Sequence, residues 1–137
     1  MMRKIIFATG NAGKMCEVRE ILKDMDADIL SMKEAGIDID IVEDGTTFEE
    51  NAAIKARAVA AATQEEAIVL ADDSGLEVDY LDKEPGIYSA RYMGEDTPYS
   101  VKNKNLIDRL EGVPDNKRTA RFVCAIAAAL PGGEVIT

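Results

Sequence analysis

Thr9-Gly10-Asn11-Ala12-Gly13-Lys14 follows a short apolar run, Ile5-Ile6-Phe7-Ala8, and precedes a stretch with helical spacing. A glycine turn between a strand and a helix aims backbone N–H groups at an anion, and the helix N-terminus adds positive potential. Lys14 brings a full charge to the same place. The stretch is not a P-loop, which needs Gly where Ala8 stands and Ser or Thr where Met15 stands. It reads either as a phosphate cradle or as an ordinary tight turn. A second group is Asp72-Asp73-Ser74-Gly75, delivered by the apolar run Ala67-Ile68-Val69-Leu70-Ala71. Adjacent carboxylates at the end of a buried strand are costly unless exposed, paired or metal-bound. They are hard oxygen ligands suited to Mg²⁺. Successive strand residues point to opposite faces, so both serve one site only if the strand ends there, as the Ser74-Gly75 turn predicts. The plainer reading is a solvated acidic loop. Glu43 and Asp44 beside Gly45, and Asn51 and Lys55 four apart on one helix face, are ordinary surface when each is taken alone. Arg91 could grip a phosphate or carboxylate with two hydrogen bonds, or make a structural salt bridge.

The elements that must position these residues follow from pattern. Residues 5–8 read as a buried strand, and Val18, Ile21, Leu22 and Met25 as the apolar face of a helix. A second strand is expected over 28–32. Thr47-Phe48-Glu49-Glu50 has the capping-box spacing and opens an alanine-rich helix to about Thr63. Residues 67–71 form the clearest buried strand, and 76–81 a half-buried one. Thr97-Pro98 reads as an N-cap with proline at the first helical position, and Gly112 closes that helix. Thr119 to Leu130 is a long strand, Pro131-Gly132-Gly133 a hairpin turn, and Glu134-Val135-Ile136-Thr137 the start of a returning strand. A chain that stops there is expected to be a truncated single domain over 1–137.

The 137 residues carry 16 basic and 26 acidic side chains, a net charge of −10. That balance argues against nucleic-acid polymers and anionic membranes as partners. A small anion remains possible, because charges beyond about 8 Å are largely screened and a metal ion can reverse the local sign. There is no His, so His-based triads are excluded and a zinc site is hard to build. Cys16, in a helical pattern, and Cys124, in an apolar strand run, are expected as buried structural thiols. No signal peptide or membrane-length apolar run is present, which predicts a cytoplasmic protein.

Five ordered blocks together resemble the inosine triphosphate pyrophosphatase (Ham1-like) family. They are Ala8-Thr9-Gly10-Asn11-Ala12-Gly13-Lys14, then Glu43 to Ala52 with Lys55-Ala56, then Ala71 to Leu76, Pro85 to Tyr92, and Arg118 to Phe122. The resemblance implies an α/β fold: a long, mixed, curved sheet flanked by helices, with a cleft between two lobes. It implies hydrolysis of non-standard purine nucleoside triphosphates (ITP, dITP, XTP) to monophosphate and pyrophosphate with Mg²⁺, by a homodimer. It implies that Thr9, Gly10, Asn11 and Lys14 hold the triphosphate and that Ser74 contacts substrate. Asp73 is implied as proton acceptor and metal ligand, Glu43 as a further metal ligand, and Lys55 as a cation approaching the phosphates. A triphosphate carries nearly four negative charges. Mg²⁺, Lys14 and Lys55 can neutralise them while Asp73 or Asp72 orients and deprotonates a water.

The family's later F-G-Y-D-P block, a Lys and an S-H-R block, which read the base, do not occur in these residues. Weak or absent activity and poor base discrimination are therefore expected of this chain alone. Two other readings remain: a non-catalytic nucleotide-binding module, which would not need Asp73, and a receiver-like signalling domain, whose acidic pair would follow the first strand.

Overall fold

A computed structural model describes residues 3–9, 11–63 and 66–137. The chain divides into two compact units, residues 1–73 with 125–137, and residues 74–124. The strands are β1 (Arg3–Phe7), β2 (Ala27–Ser31), β3 (Ile68–Val78), β4 (Glu84–Pro85), β5 (Ala120–Ala129) and β6 (Val135–Ile136). The helices are α1 (Ala12–Ile21), α2 (Phe48–Ala62) and α3 (Tyr99–Arg109). The strands form one mixed sheet in the order β2-β1-β3-β5-β6, with β4 paired to β3.

In the first unit β1 lies between two parallel neighbours, Ile5 opposite Ile29 on β2 and opposite Ile68 on β3. A strand covered on both faces should be apolar throughout, and Ile5, Ile6 and Phe7 are all buried. The carboxyl ends of parallel neighbours lie side by side, which is where α/β sheets place ligands. The Ala8 N–H donates to the Leu70 carbonyl at 2.8 Å, so the turn after β1 sits beside the acidic residues that follow Leu70.

Helix α2 buries Phe48, Ala52, Ala53, Ala56 and Val59. Ala52, Ala56 and Val59 have no exposed surface. Thr47 caps it: its Oγ1 accepts from the Glu50 N–H at 3.0 Å. Glu50 reaches back one residue further than the usual capping box, to the Thr46 N–H at 2.7 Å. Thr47→Ala should cost about 1 kcal/mol, seen as a lower urea midpoint with an unchanged slope. Bonds from the Thr46 N–H and then its hydroxyl hold the Glu50 carboxyl below the usual range. That stabilisation is present above the unfolded carboxylate pKa and is lost as pH falls through the depressed one.

The second unit contains the end of β3, β4, α3 and the start of β5. Ser89 Oγ accepts from the Leu76 N–H at 2.9 Å and donates to the Gly86 carbonyl at 2.6 Å. Lys102 is buried and donates to the Ala90 carbonyl at 2.9 Å. Arg91 stacks over the Tyr88 ring at 5.3 Å. Arg121 pairs with Glu77 at 2.8 Å, and Thr119 donates to Asp79 at 2.6 Å. The Pro85–Tyr92 and Arg118–Phe122 blocks thus have local structural bonds of their own.

Several expectations are corrected. β3 does not end at Asp72; it runs unbroken through Ser74 and Gly75 to Val78, and Asp79–Leu81 is a 3-10 turn rather than strand. Pairing along the sheet overrides the local turn preference of Ser-Gly. Helix α1 ends at Ile21, leaving Ile21 and Met25 exposed, and Met15 is its buried residue. Thr97 does not cap α3, whose N-cap is Pro98. Thr97 instead donates to the Met93 carbonyl. Both thiols are exposed, not buried. Strand alternation sends Ala125, Ala127 and Ala129 inward and leaves Phe122, Cys124 and Ile126 outside. The expected hairpin does form, with Ala129 opposite Val135 and Gly133 at φ 97°.

Candidate active site

The turn after β1 is closed by its own side chains. Asn11 caps α1, and its Oδ1 accepts from the Gly13 N–H at 2.8 Å and the Lys14 N–H at 3.1 Å. Thr9 Oγ1 accepts from the Asn11 N–H at 3.1 Å. Gly10 lies outside the described residues. Two amides that a glycine turn would offer to an anion are therefore already engaged by Asn11. A phosphate here would meet the Asn11 carboxamide and the Lys14 ammonium, or displace the cap.

Asp72 and Asp73 are consecutive in β3, so their side chains leave on opposite sides of the strand and find different partners. Asp72 is buried, 6% exposed, and its Oδ2 accepts from Lys14 Nζ at 3.0 Å. This joins the β1–α1 turn to the acidic pair through residues 58 apart in sequence. Asp73 meets the other set. The Asn51 side chain hydrogen-bonds its carboxylate, and the charges of Lys55 and Glu43 act on it. Lys55 Nζ lies 2.9 Å from Glu43 Oε1, with both side chains less than a third exposed. Ser74 follows on β3 and is exposed.

Burial is the largest influence on Asp73 and pushes its carboxyl above the ordinary aspartate value. Lys55 opposes that shift, the neighbouring charge of Glu43 adds to it, Asn51 opposes it, and Asp72 adds to it. Two buried carboxylate oxygens, Asp73 Oδ2 and Glu43 Oε1, have no hydrogen-bond partner. Glu43 Oε1 has the Lys55 ammonium close by without hydrogen-bond geometry, a charge contact only. Buried carboxylate oxygens in that state are under-compensated, and a cation is the partner that would satisfy both.

The donor set can be tested against Mg²⁺. No group of three or more acidic, His or Cys side chains capable of holding a metal occurs among the described residues. Mg²⁺ does not need one, because it binds through one or two carboxylates together with substrate phosphates and water. Asp73 and Glu43 fit that requirement. A cavity of about 540 Å³ beside the C-terminal half of α2, lined by Arg57, Thr63, Glu66 and Pro131 among others, includes none of these groups.

Lys14, Glu43, Lys55, Asp72 and Asp73, all singled out from sequence, thus fall in the first unit as two charged sets meeting at consecutive residues of β3. Asn51 was noted only for sharing a helix face with Lys55. Its complete burial and its bond to Asp73 were missed. The one available signal was an amide in the middle of an otherwise alanine-rich buried face.

The Ham1 family model matches residues 5–137. The chain is 51% identical over 139 residues to the dITP/XTP pyrophosphatase of Clostridium perfringens, covering 98% of this chain and 68% of that protein. It is 45% identical to the dITP/XTP pyrophosphatase of Bacillus subtilis, covering 100% of this chain and 68% of the relative. The solved structure of the Staphylococcus aureus Ham1 protein superposes with a TM-score of 0.84 at 40% identity, over 98% of this chain and 67% of that one. The chain spans about two thirds of the length of these relatives.

Proposed function

Since this chain belongs to the Ham1 family, we propose that it is a nucleoside-triphosphate pyrophosphohydrolase acting on non-standard purine nucleotides such as dITP, ITP and XTP. The observation that carries the reading is Asp73: a half-buried carboxylate with a raised pKa and an orphaned oxygen, set against Lys55, Glu43 and Asn51. Raised carboxyl pKa values in polar clusters mark groups suited to proton transfer.

In this reading Lys14 and Lys55 draw the triphosphate in and neutralise part of its charge, with Thr9, Gly10, Asn11 and Ser74 around it. Asp73 takes the proton from the attacking water. The water oxygen bonds to the α-phosphorus as the α–β phosphoanhydride bond breaks, leaving monophosphate and pyrophosphate. Asp73 and Glu43 would hold Mg²⁺, which when bound supplies charge neutralisation to the phosphates. Asp72 holds Lys14 in place through their ion pair.

The remaining attributes rest on coarser support. Among the described residues no helix is long and apolar enough to cross a membrane. Two exposed free thiols suit a reducing cytoplasm, and a net charge of −10 disfavours nucleic-acid polymers. Exposed Tyr88 and Tyr99 provide apolar surface for a homodimer contact.

The test is product identity. With Mg²⁺, the protein should release pyrophosphate from dITP and XTP. Orthophosphate as the product would overturn the reading. Triphosphate binding by calorimetry with no turnover would instead indicate a nucleotide-binding module.

A further inference from the structure

Asn51 is a buried polar side chain to which the proposed chemistry assigns no task. It is 1% exposed and sits one turn before Lys55 on α2. Both ends of its carboxamide are engaged. Its Oδ1 accepts from the Gly45 N–H at 2.8 Å, and its side chain bonds the Asp73 carboxylate. The orientation is forced: the Gly45 N–H needs an acceptor and a carboxylate needs a donor, so the amide nitrogen faces Asp73. Asp73 Oδ2 has no hydrogen-bond partner, so the bond goes to Oδ1. The approach of Gly45 is equally specific. A Cβ there would lie 2.7 Å from Asn51 Oδ1 and 2.8 Å from the Glu50 Cβ.

We propose that Asn51 is a positioning residue that ties the Asp73 carboxylate to the loop carrying Glu43, and thereby fixes the orientation of that carboxylate for the reaction. The inference rests on the pyrophosphohydrolase reading and assigns a task within it. A carboxylate rotates readily about its terminal torsion unless one oxygen is held. Pinning Oδ1 leaves Oδ2 in a single orientation. The same amide fixes Gly45, two residues from Glu43, so acceptor and loop are set before substrate arrives.

The test uses three forms of the protein: parent, Asn51→Asp and Asn51→Leu. The first variant keeps shape and the acceptor for Gly45 but loses the donor to Asp73. The second loses both bonds without adding charge. Two quantities are read: hydrogen exchange at the Gly45 amide, and kcat and KM for dITP with Mg²⁺. The Gly45 amide should be protected in the parent and in Asn51→Asp, and unprotected in Asn51→Leu. Both variants should lose about 10–100-fold in kcat with KM changed by less than about threefold. Asn51→Asp with the parent's kcat overturns the proposal. So does a Gly45 amide in the folded parent that exchanges as fast as an unstructured glycine, a readout requiring no variant to fold. A parent that releases no pyrophosphate while Gly45 is protected removes the functional reading instead, and this inference with it.

Discussion

Asp73→Asn should reduce pyrophosphate release by about 10²–10⁴-fold and at the same time make the folded protein more stable. The activity loss follows from removing the proposed proton acceptor while leaving its shape. The stability gain follows from the direction of its pKa. Burial raises the Asp73 carboxyl above its unfolded value, and Lys55 only partly offsets this. For such an acid the favourable contribution is present below the unfolded pKa and is lost as pH rises through the folded one. At neutral pH the ionised Asp73 is therefore a net cost, and a neutral amide relieves it while still accepting from Asn51. Thermal melts without ligand at pH 7 should show Asp73→Asn with the higher Tm, and the difference should vanish toward pH 3. A lower Tm at pH 7, or activity within threefold of the parent, would refute the assignment. Groups kept at a cost to stability are characteristic of sites held for function.

Lys55→Met should act in the opposite sense on stability and in the same sense on rate. The ammonium lies 2.9 Å from Glu43 and is the strongest influence holding the Asp73 pKa down. Removing it leaves two partly buried carboxylates facing each other uncompensated. Between the exposed and fully buried limits for broken ion pairs, the cost should be about 1–3 kcal/mol. The rate should fall by roughly 10²–10³-fold through loss of a fixed charge at the phosphates. The Asp73 carboxyl should move further up, so the acid limb of the kcat pH profile should shift to higher pH. Measuring that profile separates a charge at the site from a remote surface lysine, which would leave the limb where it is.

The sequence carried the local parts of this architecture well. The capping of α2 by Thr47, the strand–turn–helix after Phe7 and the β5–β6 hairpin are set by residues within a few positions of one another. The signals that misled were also local. Ser74-Gly75 reads as a break, yet β3, a strand of the sheet, runs through it to Val78. Cys124 sits in an apolar run, and composition cannot tell which alternate face of that run is covered. The contacts that build the site are long-range. Lys14 meets Asp72 across 58 positions, and Asn51 meets Asp73 from another element. Candidate residues could be named from type and pattern. Their pairing, and the separation of the two aspartates between different partners, required the three-dimensional arrangement.

Helix α2 owes its placement to atoms it lacks. Ala52, Ala56 and Val59 touch no solvent, and two of the three carry only a methyl group. Close-packed interiors accommodate an added methylene by straining side-chain rotamers and shifting backbone. The helix that carries both Asn51 and Lys55 is thus gauged by methyl-thick shims. Enlarging one would shift the tools of the reaction without altering any of them, so inactivating changes in this protein should appear among its most inert-looking alanines.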